Sequence, residues 1–318
     1  MSELRRDPIT GEAVIVAGDR ALRPTDLVRA PAPAPKGAEG CPFCPGAEAS
    51  TPPAVEVLGA DGRPAGDGAW AVRVIPNRYP ALPTAHHVII ESPRHDAGFA
   101  DLGEGELALI LRAWQGRLRA GATSPELRAV QVFRNEGAAS GASLAHPHSQ
   151  SLGLPLIPPV LAAKVAAAGV AAAAGRCPWC ELIASERADG RRVVHDTADH
   201  LVIQPYAQRF PFETWILPTA HAERFEEAAP PALAALAAAL RTTAASLDRT
   251  LDRPPFTLSL QTAPLRPEDF KTFHWHLELR PALNPVGGFE WGSGTFINPT
   301  RPEDSAAILR GQTPPLDI

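Results

Sequence analysis

Long apolar runs are missing from this sequence, and none approaches the roughly 20 residues that a membrane-spanning helix needs. The first residues, Met1-Ser2-Glu3-Leu4-Arg5-Arg6-Asp7, carry no apolar h-region. No secretory signal is therefore expected, and the expected location is cytoplasmic. A surplus of basic charge is missing as well. The 318 residues hold 30 Lys+Arg against 35 Asp+Glu, a net charge of -5, and the basic residues, mostly arginine, are scattered. This excludes the basic stripe of a nucleic-acid binder and suits local pairing with single phosphates. The length exceeds the usual single domain and suggests one large or two medium ones.

Cysteine is scarce, four residues in all, and it comes in pairs: Cys41-Pro42-Phe43-Cys44 and Cys177-Pro178-Trp179-Cys180. Without a secretory signal, such pairs read as metal sites or redox dithiols rather than disulfides. A redox motif belongs beside a βαβ pattern. Here both pairs lie in Gly/Pro-rich surroundings with no strand leading in, so zinc is the favoured reading.

Along the chain, residues 7–16 read as a turn and a short strand, and 30–40 as an extended Pro-rich linker that delivers Cys41. Strands are expected over 70–80, 87–95 and 129–135, the second closed by Pro93. Leu107, Ile110, Leu111, Trp114 and Leu118 fall at helical spacing, which predicts an amphipathic helix over 104–120. The Ala-rich run 160–175 reads as a helix of low complexity that says little about function.

The most unusual stretch is 133–150. A loop of Gly, Ser and Ala leads into His146-Pro147-His148-Ser149-Gln150. Side chains alternate along a strand, so His146, His148 and Gln150 share one face. Two imidazoles and an amide on one face make a poor core and a good reaction site.

This pattern occurs twice. The first half runs Cys41-x-x-Cys44, a Pro-bounded Asn77-Arg78-Tyr79-Pro80, a strand ending near His95, a helix, and His146-x-His148. The second runs Cys177-x-x-Cys180, a Pro-bounded 204–213, a strand ending near His221, a helix over about 230–250, and His274-x-His276. Offsets of 136, 126 and 128 residues separate the cysteine pairs, the lone histidines and the His-x-His motifs, in the same order. A duplicated α+β fold follows, with halves at 1–158 and 159–318. Tetrahedral zinc with two thiolates and two imidazoles then assigns Cys41, Cys44, His95 and His146 to one site and Cys177, Cys180, His221 and His274 to the other. Four protein ligands leave no open position, so both metals are expected to be structural. The cysteines need partners, which argues against His146 and His148 sharing one catalytic metal. His86, His87, His195 and His200 have no place in the repeat and read as ordinary surface or core histidines. In the second copy, Glu278 stands where Gln150 stands in the first. A carboxylate repels a docking phosphate unless it is protonated or paired, so only the first copy is expected to react. His276 and Glu278 are expected to bound the substrate pocket or to bond each other.

Taken together, these pieces resemble the galactose-1-phosphate uridylyltransferase family of the histidine-triad superfamily. The matching segments are Arg6-x-Pro8-Ile9-Thr10-Gly11-Glu12-x-Val14-Ile15-Val16, Arg20 with Arg23-Pro24, Cys41-x-x-Cys44 and Asn77-Arg78-Tyr79-Pro80-Ala81-Leu82. They continue with Phe133-x-Asn135-x-Gly137, Gly141-x-Ser143, His146-Pro147-His148-x-Gln150 and Gly287-Gly288-Phe289-Glu290. They span nearly the whole chain in family order, and the His-Pro-His-x-Gln segment with its upstream Asn-x-Gly is the specific part.

The resemblance implies two histidine-triad-like halves, each an antiparallel sheet with a main helix and a zinc site. It implies ping-pong nucleotidyl transfer: UMP leaves UDP-glucose, rests on a histidine, and passes to a hexose 1-phosphate such as galactose 1-phosphate. His148 suits the role of nucleophile, because a neutral imidazole attacks phosphorus and its other ring nitrogen can donate to a carbonyl that fixes the tautomer. Gln150 would donate to a non-bridging phosphate oxygen, and Ser143 with the N–H groups of 137–143 would cradle phosphates. Arg20, Arg23, Asn77, Arg78, Asn135, Gly137, Phe289 and Glu290 are carried over as substrate contacts. In such a family part of the contacts come from a dimer partner, which implies a homodimer with an isologous interface. The second Cys pair and the C-terminal run 286–299 depart from the better-known members and look like the branch that includes an ADP-glucose phosphorylase. Adenine against uridine therefore stays open, as does inorganic phosphate against a sugar phosphate. A dinucleoside polyphosphate phosphorylase is a further alternative, and a zinc-stabilised nucleotide- or RNA-binding module is a reading from another class.

Overall fold

The structure is a computed structural model and describes residues 2–18, 37–66, 69–83 and 85–312. Arg20, Arg23 and most of the Pro-rich linker lie outside the described residues. The first half supplies β1 (Glu3–Arg6), β2 (Ala13–Val16), β3 (Glu56–Leu58), β4 (Val72–Pro76), β5 (His86–Ile90), α1 (Glu104–Ala122), β6 (Ala129–Glu136) and β7 (His148–Leu154). The second supplies α2 (Pro159–Ala172), α3 (Pro178–Asp189), β8 (Val193–Asp196), β9 (His200–Ile203), β10 (Thr214–Pro218), α4 (Pro230–Leu251), β11 (Phe256–Gln261), β12 (His276–Pro281), α5 (Gly288–Ser293), β13 (Phe296–Asn298) and α6 (Pro302–Leu309). The expected strands and main helices are all present, with ends shifted by a few residues.

The duplication is written into the sheet. Among the described residues, ten strands pair in the order β3-β4-β5-β7-β6-β11-β12-β10-β9-β8, so the second half repeats the first in reverse across the β6–β11 seam. That seam is antiparallel, with Val132 opposite Leu260 and Glu136 opposite Phe256. Beside it, β1, β2 and β13 form a three-stranded sheet that joins the N-terminal segment to the C-terminal one. The buried Arg5 of β1 reaches Glu303 of α6 at 3.0 Å.

Period-two alternation sends alternate side chains to opposite faces. Val74, Ile89, Val132, Leu258, Leu277 and Ile216 meet the buried stripes of α1 and α4 in one core that runs across both halves. On the other face of the first half, Ile75, Val88 and Ile90 pack with Cys41, Phe43 and Trp70. On the other face of the second half, Trp215 and Leu217 pack with α2 and α3 through Leu161, Trp179, Leu182 and Ile183. Leu107, Ile110, Leu111, Trp114 and Leu118 of α1 are all buried, as the helical spacing requires.

This layering decides where β7 points. Gln150 lies opposite Val88 and His148 opposite Ile90, so both project to the face away from α1. Ser149, between them, points the other way and accepts the Trp114 indole N–H at 2.7 Å. β7 is thus fastened from behind by a fully buried tryptophan. No helix among the described residues is long and apolar enough to cross a membrane.

Candidate active site and metal centres

His146 ends a turn, and its side chain meets Cys41 and Cys44. Its Nδ1 lies 3.7 Å from Cys41 Sγ and 3.5 Å from Cys44 Sγ, and His95 Nδ1 lies 3.4 Å from Cys44 Sγ. In the second half, His274 Nδ1 lies 3.8 Å from Cys177 Sγ and 3.7 Å from Cys180 Sγ, with His221 Nδ1 3.6 Å from Cys180 Sγ. A tetrahedral ion with typical metal–sulfur and metal–nitrogen bonds has S···N edges of roughly 3.6 Å. All six distances bracket that value, so both Cys2His2 sets fit one metal ion each. The far nitrogens are fixed too: His146 Nε2–H donates to Ser92 O at 2.8 Å, and His274 Nε2–H to Pro218 O at 2.8 Å. These bonds turn each Nδ1 lone pair toward the cysteines. Burial and the neighbouring Cys push the Cys44 thiol up to about 11 and the Cys180 thiol to about 12, so a metal must displace protons when it binds.

His148 is 6% exposed, against the ring of Phe43 at 5.5 Å. Its Nδ1–H donates to His146 O at 2.8 Å, which leaves the lone pair of the neutral ring on Nε2. Burial lowers its pKa; the carbonyl of His146 opposes this and Arg134 reinforces it. The ring is therefore neutral near pH 7, the state a nucleophile needs.

Several of the other expected residues lie on elements next to it. Asn135 follows Phe133, the partner of Gln150 in the ladder, by two residues and so shares the face of His148 and Gln150. The loop after β6 turns on Gly137 at φ +78° and Gly141 at φ +93°. A Cβ on Gly137 would also come within 2.9 Å of Pro255, so glycine is required there. The N–H groups of Ser140, Gly141 and Ala142 are bonded within the loop's own turn, and the exposed Ser143 is left at its mouth. Asn77 accepts the Tyr79 N–H at 2.8 Å and donates to Gln150 Oε1 at 3.3 Å. Arg78 is exposed, near the ring of Tyr79. Phe289 and Glu290 lie on the exposed α5, where Glu290 accepts the Gly287 N–H at 3.1 Å; among the described residues neither has a hydrogen bond or ring contact with His148 or Gln150.

One expectation needs correction. His86 is not an ordinary core or surface histidine, because its Nε2 lies 3.0 Å from Gln150 Oε1. Antiparallel β5 carries it alongside β7, 64 residues away in sequence. Nothing in the local sequence marks it, and only the strand register would have found it.

The second copy is closed by its own side chains. His276 repeats the bond of His148, with Nδ1–H donating to His274 O at 2.9 Å. Its Nε2, however, accepts from Lys164 Nζ at 3.1 Å. Lys164 also pairs with Glu278, which Arg209 binds at 3.0 Å. Burial pushes the Glu278 carboxyl up, but Lys164 and Arg209 override it and hold it well below the usual carboxylate range. The paired alternative is thus the one adopted, and His276 lies 3.4 Å from Glu278. Lys164 was also invisible as a site residue, although it is the only charged residue of the Ala-rich run.

Comparison with known proteins agrees with this geometry. A family model described as the N-terminal domain of galactose-1-phosphate uridyl transferase matches residues 85–158. An ADP-glucose phosphorylase from Arabidopsis thaliana is 34% identical over 97% of this chain and 92% of its own length. A galactose-1-phosphate uridylyltransferase from Thermotoga maritima is 27% identical over 98% of both. Among solved structures, the Arabidopsis ADP-glucose phosphorylase with bound ADP-glucose superposes at a TM-score of 0.85 and 31% identity, covering 99% of this chain and all of that one. A uridylyltransferase superposes at 0.71 and 31% identity, covering 98% of each. With a relative of that identity along nearly its whole length, and the matched fold, the chain belongs to the galactose-1-phosphate uridylyltransferase family.

Proposed function

We propose that this protein transfers a nucleotidyl group from a nucleotide sugar through a covalent intermediate on His148. The observation that carries this reading is the buried, neutral His148, whose Nδ1–H is committed to a carbonyl and whose Nε2 has no hydrogen-bond partner among the described residues. Family membership supports a nucleotidyltransferase or phosphorylase. For the donor and acceptor, the phosphorylase relative weighs most, at 34% identity and a TM-score of 0.85. The preferred reaction is therefore phosphorolysis of ADP-glucose. His148 Nε2 attacks the phosphorus that bears adenosine, the bond to the bridging oxygen breaks, and glucose 1-phosphate leaves. Inorganic phosphate then attacks the adenylyl-histidine, the N–P bond breaks, and ADP is released with His148 restored. UMP transfer from UDP-glucose to a hexose 1-phosphate is the second reading, favoured by the Thermotoga relative of equal coverage.

In this scheme Gln150 steadies a non-bridging oxygen of the reacting phosphate. Asn77, Asn135, Gly137 and Ser143 line the nucleotide and phosphate side, and Arg78, Arg20 and Arg23 supply cationic contacts. Zinc is the metal proposed for both Cys2His2 sets, where it would clamp the cysteine segments to each His-x-His strand. The working unit is proposed to be a cytoplasmic homodimer. Phe289, 49% exposed, and Trp291, 86% exposed, give α5 an apolar surface that, with Glu290, is suited to reach a partner's site.

The test is mass spectrometry of the intact chain mixed with ADP-glucose or UDP-glucose, without acceptor. An added nucleotide monophosphate, lost in His148→Gln, is expected, and its base names the donor. Absence of an adduct with either donor would overturn the reading.

A further inference from the structure

We infer that His86 is a positioning residue that fixes the amide of Gln150 for the phosphate, an inference resting on the nucleotidyl-transfer reading above. An amide side chain can present oxygen or nitrogen to a ligand, and the two orientations differ by a flip that costs little unless neighbours choose between them. Here the neighbours choose. The Ala81 N–H donates to His86 Nδ1 at 3.0 Å, so Nδ1 is an acceptor and the neutral ring carries its proton on Nε2. That N–H faces Gln150 Oε1 at 3.0 Å. Asn77 is oriented the same way: Tyr79 N–H donates to its Oδ1 at 2.8 Å, which leaves its Nδ2 to donate to the same Gln150 oxygen at 3.3 Å. His86 Nε2 and Asn77 Nδ2 lie 3.2 Å apart, two donors converging on one acceptor.

Two backbone N–H groups of the 77–81 turn thus set a tautomer and an amide, and both of these then set Gln150. With Oε1 held twice, Gln150 Nε2 is left facing outward, and it has no hydrogen-bond partner among the described residues. That is the donor a phosphate oxygen needs as negative charge builds on it. Without His86, Asn77 alone would hold the amide through the longer bond. A flipped amide would then present oxygen to oxygen.

The experiment compares the rate of adduct formation in a single turnover for the wild type, His86→Phe, Gln150→Ala and the double variant. His86→Phe is expected to slow the step about 10- to 100-fold, with the concentration dependence on donor and the metal content unchanged. The double variant is expected to be no slower than Gln150→Ala, because His86 has nothing left to orient. A wild-type rate in His86→Phe, or losses that multiply in the double variant, would overturn the inference while leaving nucleotidyl transfer intact. Absence of any adduct in the wild type would instead overturn the underlying reading. If His86→Phe does not fold, nitrogen NMR of the histidine-labelled wild type decides independently of activity. A proton on His86 Nε2 supports the inference, and a proton on Nδ1 sinks it.

Discussion

His200 is buried to 2% exposure at the start of β9, and neither ring nitrogen has a hydrogen-bond partner among the described residues. Burial lowers its pKa to about 4, against which nearby Asp199 pulls only weakly. The unfolded chain takes up this proton near pH 6.5 and the folded chain only near 4. Stability carried by the neutral ring is therefore complete above about pH 6.5 and lost as pH falls toward 4, by on the order of 3 kcal/mol. His200→Phe keeps a ring beside Trp275 and removes the titration. Urea unfolding at pH 7 and pH 5 should show the variant losing less stability than the wild type. Parallel losses would refute the assignment. His200 also marks what can be read from a sequence: a histidine outside the repeat, read as an ordinary surface or core residue, is a core residue here. The same argument misplaces His86, because its meaning lies in a partner on another strand. Cys41, Cys44, His95 and His146 were legible as one cluster because the same pattern returns in the second half.

At the level of elements, β7 and β12 are the same strand put to different uses, and α2 makes the difference. The exposed side of α2 carries Val160 and Val170, while its one charged residue, Lys164, is buried. This inversion was illegible in an Ala-rich run, since composition hides which side of a helix faces the sheet. It has an energetic consequence. Breaking a buried ion pair by removing one partner strands the other charge, which typically costs about 3–5 kcal/mol. Arg209 remains beside Glu278, so Lys164→Met should destabilise the chain by a smaller amount, about 2–3 kcal/mol. Adding Glu278→Gln should recover part of that loss in urea unfolding. Nucleotidyl loading of His148 should continue in both variants. A double variant less stable than Lys164→Met alone would show that the pair is not what Lys164 supports.

Across the whole molecule, the internal symmetry places two equivalent Cys2His2 clusters, each able to hold a metal, in unequal surroundings. The first contains buried Cys41 and His146 and shares a carbonyl link with the proposed nucleophile, since His146 O holds His148 Nδ1–H. In the second, His221 is 41% exposed, and the histidine it supports, His276, is already engaged by Lys164. A chelator should therefore empty the second centre first, because its ligands open to solvent more readily. The consequence for chemistry should follow the first centre alone. Cys177→Ser is expected to reduce the metal content from about two ions per chain to about one while adduct formation on His148 continues. Cys41→Ser is expected to lose one ion and the adduct together, because the His146 segment no longer holds the tautomer of His148. Elemental analysis alongside intact mass measures both. If Cys177→Ser abolished the adduct while retaining the first metal, the two halves would be coupled through their shared sheet and core, and the division between a working half and a closed half would have to be abandoned.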